Sequence, residues 1–252
     1  MICYHGTPLS GGSLNPVKIL ANKDAMVSFA RPDQIKIVAE VCRSFVLDNG
    51  AFSAWRKNAP IENWNKFYDW VDLWRKHPGA EWCCIPDVID GDDAANDKLI
   101  DEWPFESFGV PVFHLHEGFN RLQRLMDKFP RIAIGSSGQF SSVGTSAWWT
   151  RISQVLNYIC DEQGRPSVKL HGLRMLDPTL LAHVPLASAD STHLARTICT
   201  DVKWKGPYAP HSPAARAAII MDRLENHAKA ARWIKTTGAQ LNFELLDCAN
   251  AS

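Results

Sequence analysis

The sequence predicts an α/β fold, a (β/α)8 TIM barrel built as a single domain, on three observations. Eight short apolar runs each end near a polar residue or Gly, helical segments lie between most of them, and the chain is 252 residues long. Strand, helix, strand repeated eight times in roughly 250 residues is the pattern of such a barrel. An open doubly wound sheet is the competing arrangement. No GxGxxG follows any of the runs, which lowers the dinucleotide-binding version of it.

The runs are Ile2–His5, Met26–Ala30, Phe45–Asp48, Trp82–Asp87, Val110–His116, Ile132–Ser136, Val168–Gly172 and Leu186–Asp190. They are β-branched or otherwise apolar, as strands buried on both faces of a parallel sheet must be. Between them, Ile61–His77 puts Ile61, Trp64, Phe67, Tyr68, Val71 and Trp74 on one stripe. Asp92–Trp103 reads as a short acidic helix. Phe119–Phe129 repeats Leu122, Leu125, Met126 and Phe129 at helical period. Ser146–Asp161 does so with Trp149, Ile152, Val155, Leu156 and Ile159. Ser212–Ile234 opens with Ser212 as N-cap and Pro213 at the first helical position. The Gly11–Lys23 link shows no clear helical period. Residues 1–252 are thus expected to form one catalytic barrel, with 201–252 as its C-terminal helical extension.

Composition narrows the function classes. A chain with 46% apolar and 21% charged residues has material for a full core and is not a disordered one. It carries 27 basic and 27 acidic side chains, which argues against a protein that coats nucleic acid with blanket positive charge. No run approaches the ~18 apolar residues of a membrane helix, and Met1 to Gly12 does not read as a secretory signal. The seven cysteines are odd in number and include no CxxC, which suits a reducing cytoplasm, the host's if the chain is phage-encoded. The ten tryptophans are expected in the core and in helix packing.

Barrel enzymes place their chemistry at the C-terminal ends of the strands. Here those ends read His5, Asp48, Asp87, His114 with His116, Ser136, His171 and Asp190. One Asp at a strand end is often the N-cap of the next helix; three Asp and four His together exceed what capping needs. Asp48 stands before Asn49-Gly50, where Gly50 either makes a turn or lets a ligand approach the backbone. Pro86 stiffens the exit that aims Asp87. Asp90, Asp92 and Asp93 fit a solvated helix N-terminus. Small residues around Asp190 leave room for a substrate. The Gly135-Ser136-Ser137-Gly138 turn exposes backbone N–H groups suited to a phosphate or a flat heterocycle. His114 and His116, two apart on a strand, point to one side. With His171 and Asp190 they could ligate a metal, or one of them could bind a substrate directly.

In this order the exits resemble the tRNA-guanine transglycosylase superfamily, and most of all its DNA-modifying branch, the DpdA-type 7-deazaguanine DNA transglycosylases of phages and bacteria. Asp48-Asn49-Gly50-Ala51-Phe52 is similar to the family's Asp-Ser-Gly-Gly-Phe. Leu115-His116-Glu117-Gly118 with Arg121 is similar to its Val-Gln-Gly-Gly and following Arg. Gly135 to Gly138 matches its glycine-rich exit, and Leu170-His171-Gly172-Leu173 its Leu-Met-Gly-Val. Asp190, ahead of Thr192, His193 and Arg196, matches its last strand. The matches keep their order from about residue 44 to 196. The CxCxxC zinc site of the tRNA enzymes is missing; after Asp190 only Cys199 and Cys248 remain.

The resemblance implies base exchange at an N-glycosidic bond, guanine in DNA giving way to a 7-deazaguanine such as 7-cyano-7-deazaguanine (preQ0), with no cofactor and no metal. Asp190 is then the nucleophile and Asp48 the general acid/base. Asp87, His116, Gly135, Ser136, Gly172, Asn49 and Gly50 would line the base pocket. The implied partners are DNA with a flipped guanine nucleotide and the free 7-deazaguanine base, without a membrane; a homodimer or partner subunit stays open. For DNA contact, residues 196–240 hold eight basic side chains against three acidic ones, whereas 87–106 hold eight acidic against Lys98. The rival readings are a metal-dependent barrel hydrolase using His114, His116, His171 and Asp190, a non-catalytic barrel that binds a purine or nucleic acid, a nucleoside or DNA glycosylase finished by water, and a related enzyme acting on RNA.

Overall fold

The computed structural model describes residues 1–9, 16–191, 210, 212–229 and 231–235. Its strands are β1 (Ile2–Gly6), β2 (Asp24–Ser28), β3 (Ser44–Asp48), β4 (Ala80–Cys84), β5 (Gly109–Val110), β6 (Val112–His114), β7 (Arg131–Gly135), β8 (Lys169–Gly172) and β9 (Ser188–Ser191). All nine are parallel, in the order β5-β4-β3-β2-β1-β9-β8-β7-β6. The two ends of that order are consecutive in the chain and flank Pro111, so the sheet curls into a nearly closed barrel. Pro111 splits one predicted run into two strands because it has no N–H to give to a ladder. Pairing continues on either side of it: Ile85 N donates to Val110 O, and Ala133 N to Pro111 O. Each of the eight predicted runs thus contributes one stave.

Helices fill the connections: α1 (Pro16–Leu20), α2 (Ile35–Val41), α3 (Ala51–Arg56), α4 (Asn65–Trp74), α5 (Asp93–Asp101), α6 (Phe119–Lys128), α7 (Ser146–Ile159), α8 (Pro178–Leu181) and α9 (Pro213–Asn226). Asp92, Thr145 and Ser212 cap α5, α7 and α9 through bonds from Ala95 N, Trp148 N and Ala215 N. Two predicted helices are shorter than their periodicity suggests. Asn63 Oδ1 accepts from Asn65 N, so α4 begins after a side-chain turn and not at Ile61. The Ser212–Ile234 pattern stops being helical at Asn226 because Trp233 pairs with the 161–166 turn instead: its N–H donates to Gly164 O and its indole to Asn157 Oδ1. Gly164 (φ +70°) leaves no room for a Cβ, which would come within 2.1 Å of Trp233 O. In α7 the fully buried indole is Trp148, with Trp149 only partly covered.

Period-two alternation decides what the barrel contains. Tyr4, Met26, Val46, Trp82, Cys84, Val110, Val112 and Ala133 fill its interior as one apolar cluster. Their neighbours, among them Val27, Leu47, Phe113 and Ile134, face outward into the helix layer. His171 is buried inside, edge-on to Trp82 at 4.7 Å. His5 faces outward, where its Nε2 lies 3.3 Å from Glu225 on α9. Together with Lys23, whose Nζ donates to the same carboxylate at 2.6 Å, His5 holds that carboxyl down at about 2.

A buried ionic network braces the β6 exit. Arg121 is 1% exposed and donates to Glu117 Oε2, to Val112 O and to Asp97. Glu117 also accepts from His114 N and from Asn96, which in turn clasps both backbone groups of Val88. Removing one member of such a network leaves an uncompensated buried charge. Arg121→Ala is therefore expected to lower stability by about 3–5 kcal/mol, read by denaturant unfolding.

The described cysteines Cys3, Cys42, Cys83, Cys84 and Cys160 are free thiols. Cys199 and Cys248 lie outside the described residues, as does most of the predicted 201–252 extension. Among the described residues no helix is long and apolar enough to cross a membrane.

Candidate active site

The inward face of each stave ends at the C-terminal mouth of the barrel, where a cavity of about 270 Å³ opens. Alternation delivers Ser28 above Met26, Asp48 above Val46 and Asp190 above Ser188. Asp48, Asp87 and Asp190 all line this one cavity, as do His114 and Asn49.

Asp48 accepts from Gly50 N at 3.2 Å and from the Ser28 hydroxyl. Gly50 has φ +81° and lies so near the 30–31 backbone that a Cβ would reach 2.8 Å from Ala30 N. It makes the turn that launches α3, whose first N–H, from Ala51, bonds to Asn49 Oδ1. Burial pushes the Asp48 carboxyl up to about 6, with the Asp190 and Asp87 charges acting the same way and the two hydrogen bonds opposing.

Asp190 is nearly buried and oriented by two groups. Arg174 N donates to Oδ1 at 2.8 Å, and His171 Nε2 lies 3.4 Å from the same oxygen. Burial lowers the pKa of His171, which favours its neutral form. Asp87, three residues beyond β4, is held on both oxygens: Asn49 Nδ2 donates to Oδ1 at 2.7 Å, and His114 Nε2 lies 2.8 Å from Oδ2. Asn49 also donates to Ile85 O, tying the β3 exit to the β4 exit.

Of the residues singled out in the sequence, Asp48, Asn49, Asp87, Gly135, Ser136 and Asp190 line the cavity; Gly50, His116 and Gly172 do not. A Cβ on Gly172 would meet Leu186 and Met175. His116 stacks on His114 with ring centres 5.7 Å apart. Its nitrogens are engaged by Ser137 Oγ and Gly91 O above the cavity. Ser136 Oγ accepts from the Trp148 indole. Thr192, His193, Arg196, Lys203 and Lys205 lie outside the described residues.

His114, His116, His171 and Asp190 do not converge as one ligand set. Among the described residues no three His, Cys, Asp or Glu side chains are grouped to hold a metal ion.

Two site residues escaped the sequence reading. Ser28 was legible in principle, since alternation from Met26 points it inward, but the apolar run continues to Ala30, two residues past the end of β2. Arg174 had no signal. It follows the β8 exit at φ +59°, with its guanidinium carbon 3.6 Å from the centre of the Phe52 ring at the lip of the cavity.

Fold and site together define an α/β barrel of the TIM type whose mouth holds three carboxylates in one cavity. No family model, no curated protein and no solved structure matches the chain.

Proposed function

We propose that the protein is a base-exchange transglycosylase that replaces guanine in DNA with a 7-deazaguanine. The observation that carries this reading is the shared cavity of Asp48 and Asp190, one carboxyl shifted up to about 6 and the other oriented by a backbone N–H. Two carboxyl groups in different environments can divide nucleophilic and acid/base work.

An Asp190 oxygen attacks C1′ of a flipped nucleotide, and the C1′–N9 bond breaks. Protonated Asp48 gives its proton to the departing guanine, leaving a covalent glycosyl-Asp190 ester. The incoming deazaguanine then attacks C1′ through its own N9 and returns Asp190 as a carboxylate, while Asp48 takes up the N9 proton. Two displacements retain configuration. Extrusion of the nucleotide costs a few kcal/mol, a cost lowest in single strands. Asp87, fixed by Asn49 and His114, accepts from the N–H edge of the base.

Incubation with DNA and 7-cyano-7-deazaguanine, followed by mass spectrometry of the nucleosides, tests the proposal. The expected result is deazaguanine incorporated into DNA with one guanine released per exchange. Free guanine or abasic DNA without incorporation would point to a water-finished glycosylase. Incorporation into RNA in place of DNA would move the substrate to the other nucleic acid.

A further inference from the structure

We infer that Arg174 grips a backbone phosphate flanking the nucleotide whose base enters this cavity, so that the site takes a nucleotide within a strand and not a bare nucleoside. The inference rests on the base-exchange reading and adds to it the group that holds the substrate's phosphate.

The charge at the mouth comes first. Asp48, Asp87 and Asp190 line the cavity, and an anionic substrate is repelled there unless a cation stands at the entry. Among the described residues two cations line it, Arg31 and Arg174. Arg31 is engaged, its Nε and Nη2 donating to the two oxygens of Asp33 at 3.2 and 2.9 Å. Arg174 makes no ion pair among the described residues. Its guanidinium donates one hydrogen bond there, from Nη2 to Ser136 O at 3.3 Å. A guanidinium carries five N–H donors, so most of its edge is left for a ligand.

The side chain is also held in place. Its guanidinium carbon lies 3.6 Å from the centre of the Phe52 ring, itself part of the cavity lining. Stacking of this kind engages the face of the guanidinium. The donors lie in its plane, where they can meet two phosphate oxygens at once. Arg174 is exposed, so a ligand can reach it. Loss of solvent around the guanidinium lowers its pKa against the pull of the Asp190 and Asp48 charges, and the Arg56 charge lowers it further. An anion at the fork relieves both effects.

Position then says which phosphate is held. The Arg174 backbone N donates to Asp190 Oδ1 at 2.8 Å. The guanidinium therefore stands within its own side chain's reach of the proposed nucleophile. A phosphate there belongs to the sugar whose C1′ meets Asp190, on its 5′ or its 3′ side.

The test uses a single-stranded oligothymidylate with one guanine and the intact protein, with binding followed by fluorescence anisotropy. A neutral methylphosphonate replaces the phosphate 5′ to the guanosine, the one 3′ to it, or, as a control, a linkage distant from it. A charge-assisted hydrogen bond corresponds to about tenfold or more in affinity. One of the two flanking replacements should weaken wild-type binding by that factor, and the control by less than about threefold. This arm needs no variant to fold. In Arg174→Gln, which keeps the backbone N–H to Asp190, the all-phosphate strand should bind about tenfold more weakly than to wild type. The same methylphosphonate should then cost less than about threefold. Flanking replacements that weaken the wild type no more than the control, or a loss of equal size in Arg174→Gln, overturn the inference and leave base exchange standing. A wild type that does not bind the strand overturns both.

Discussion

Asp190→Asn is expected to lower base exchange by at least ~10³-fold while leaving the fold and base binding in place. An amide oxygen can still accept from Arg174 N, so the β9 exit keeps its anchor. What is lost is the anionic oxygen that forms the ester, and with it the covalent route. The effect should appear in the chemical step and not in the affinity for free base, because Asp87, held by Asn49 and His114, is untouched. Wild type quenched in acid should retain a protein–DNA adduct visible by mass spectrometry, and Asp190→Asn should show none. Asp190→Ala provides a control against deamidation back to Asp. Exchange above a tenth of the wild-type rate in Asp190→Ala would remove Asp190 as nucleophile, and an adduct persisting in that variant would place the ester elsewhere.

The fold was legible because a barrel strand announces itself on both faces. Val46 turns inward and Leu47 outward, and both are apolar, so Phe45–Asp48 reads as one uninterrupted run. The same property hides strand ends. Nothing polar interrupts Cys84-Ile85-Pro86, so the run reads through to Asp87, whereas the strand ends at Cys84 with one further bond from Ile85 N to Val110 O. Helix ends were less legible because tertiary partners set them: Gly164 intercepts Trp233, some 70 residues away in sequence. In the site, the carboxylates were readable from their place at strand exits. The positions of Gly172 and His116 relative to the cavity were not. Gly172 faces outward on β8, and His116 lies beyond the end of β6, where Glu117 N turns back to bond His114 O and ladder alternation no longer governs. Arg174 reaches Asp190 through its backbone N–H, which every residue but proline possesses, so its identity could not announce the contact.

Asp48→Asn should abolish function and stabilise the protein at once. In the folded state the Asp48 carboxyl titrates near 6 against an ordinary 3.8, because burial and the Asp190 and Asp87 charges disfavour its ionised form. A carboxyl raised in this way adds nothing unfavourable below about 3.8. It costs progressively more as pH rises toward 6 and reaches its full cost above that. The shift of about two units corresponds to about 2–3 kcal/mol, or roughly 5–10 °C in melting temperature for a chain of this size. Asparagine keeps the acceptor for Gly50 N and carries no charge, so the gain should be present at pH 8 and vanish near pH 4. The same substitution removes the proton donor for departing guanine, worth ~10²–10⁴-fold. In single-turnover guanine release, the wild-type rate should fall about tenfold per pH unit above 6, following the protonated fraction of Asp48. The variant should be slow and flat over that range. A wild-type rate that does not change between pH 5 and 8 would deny Asp48 the acid role. A variant less stable than wild type at pH 8 would deny the electrostatic strain on which that role depends.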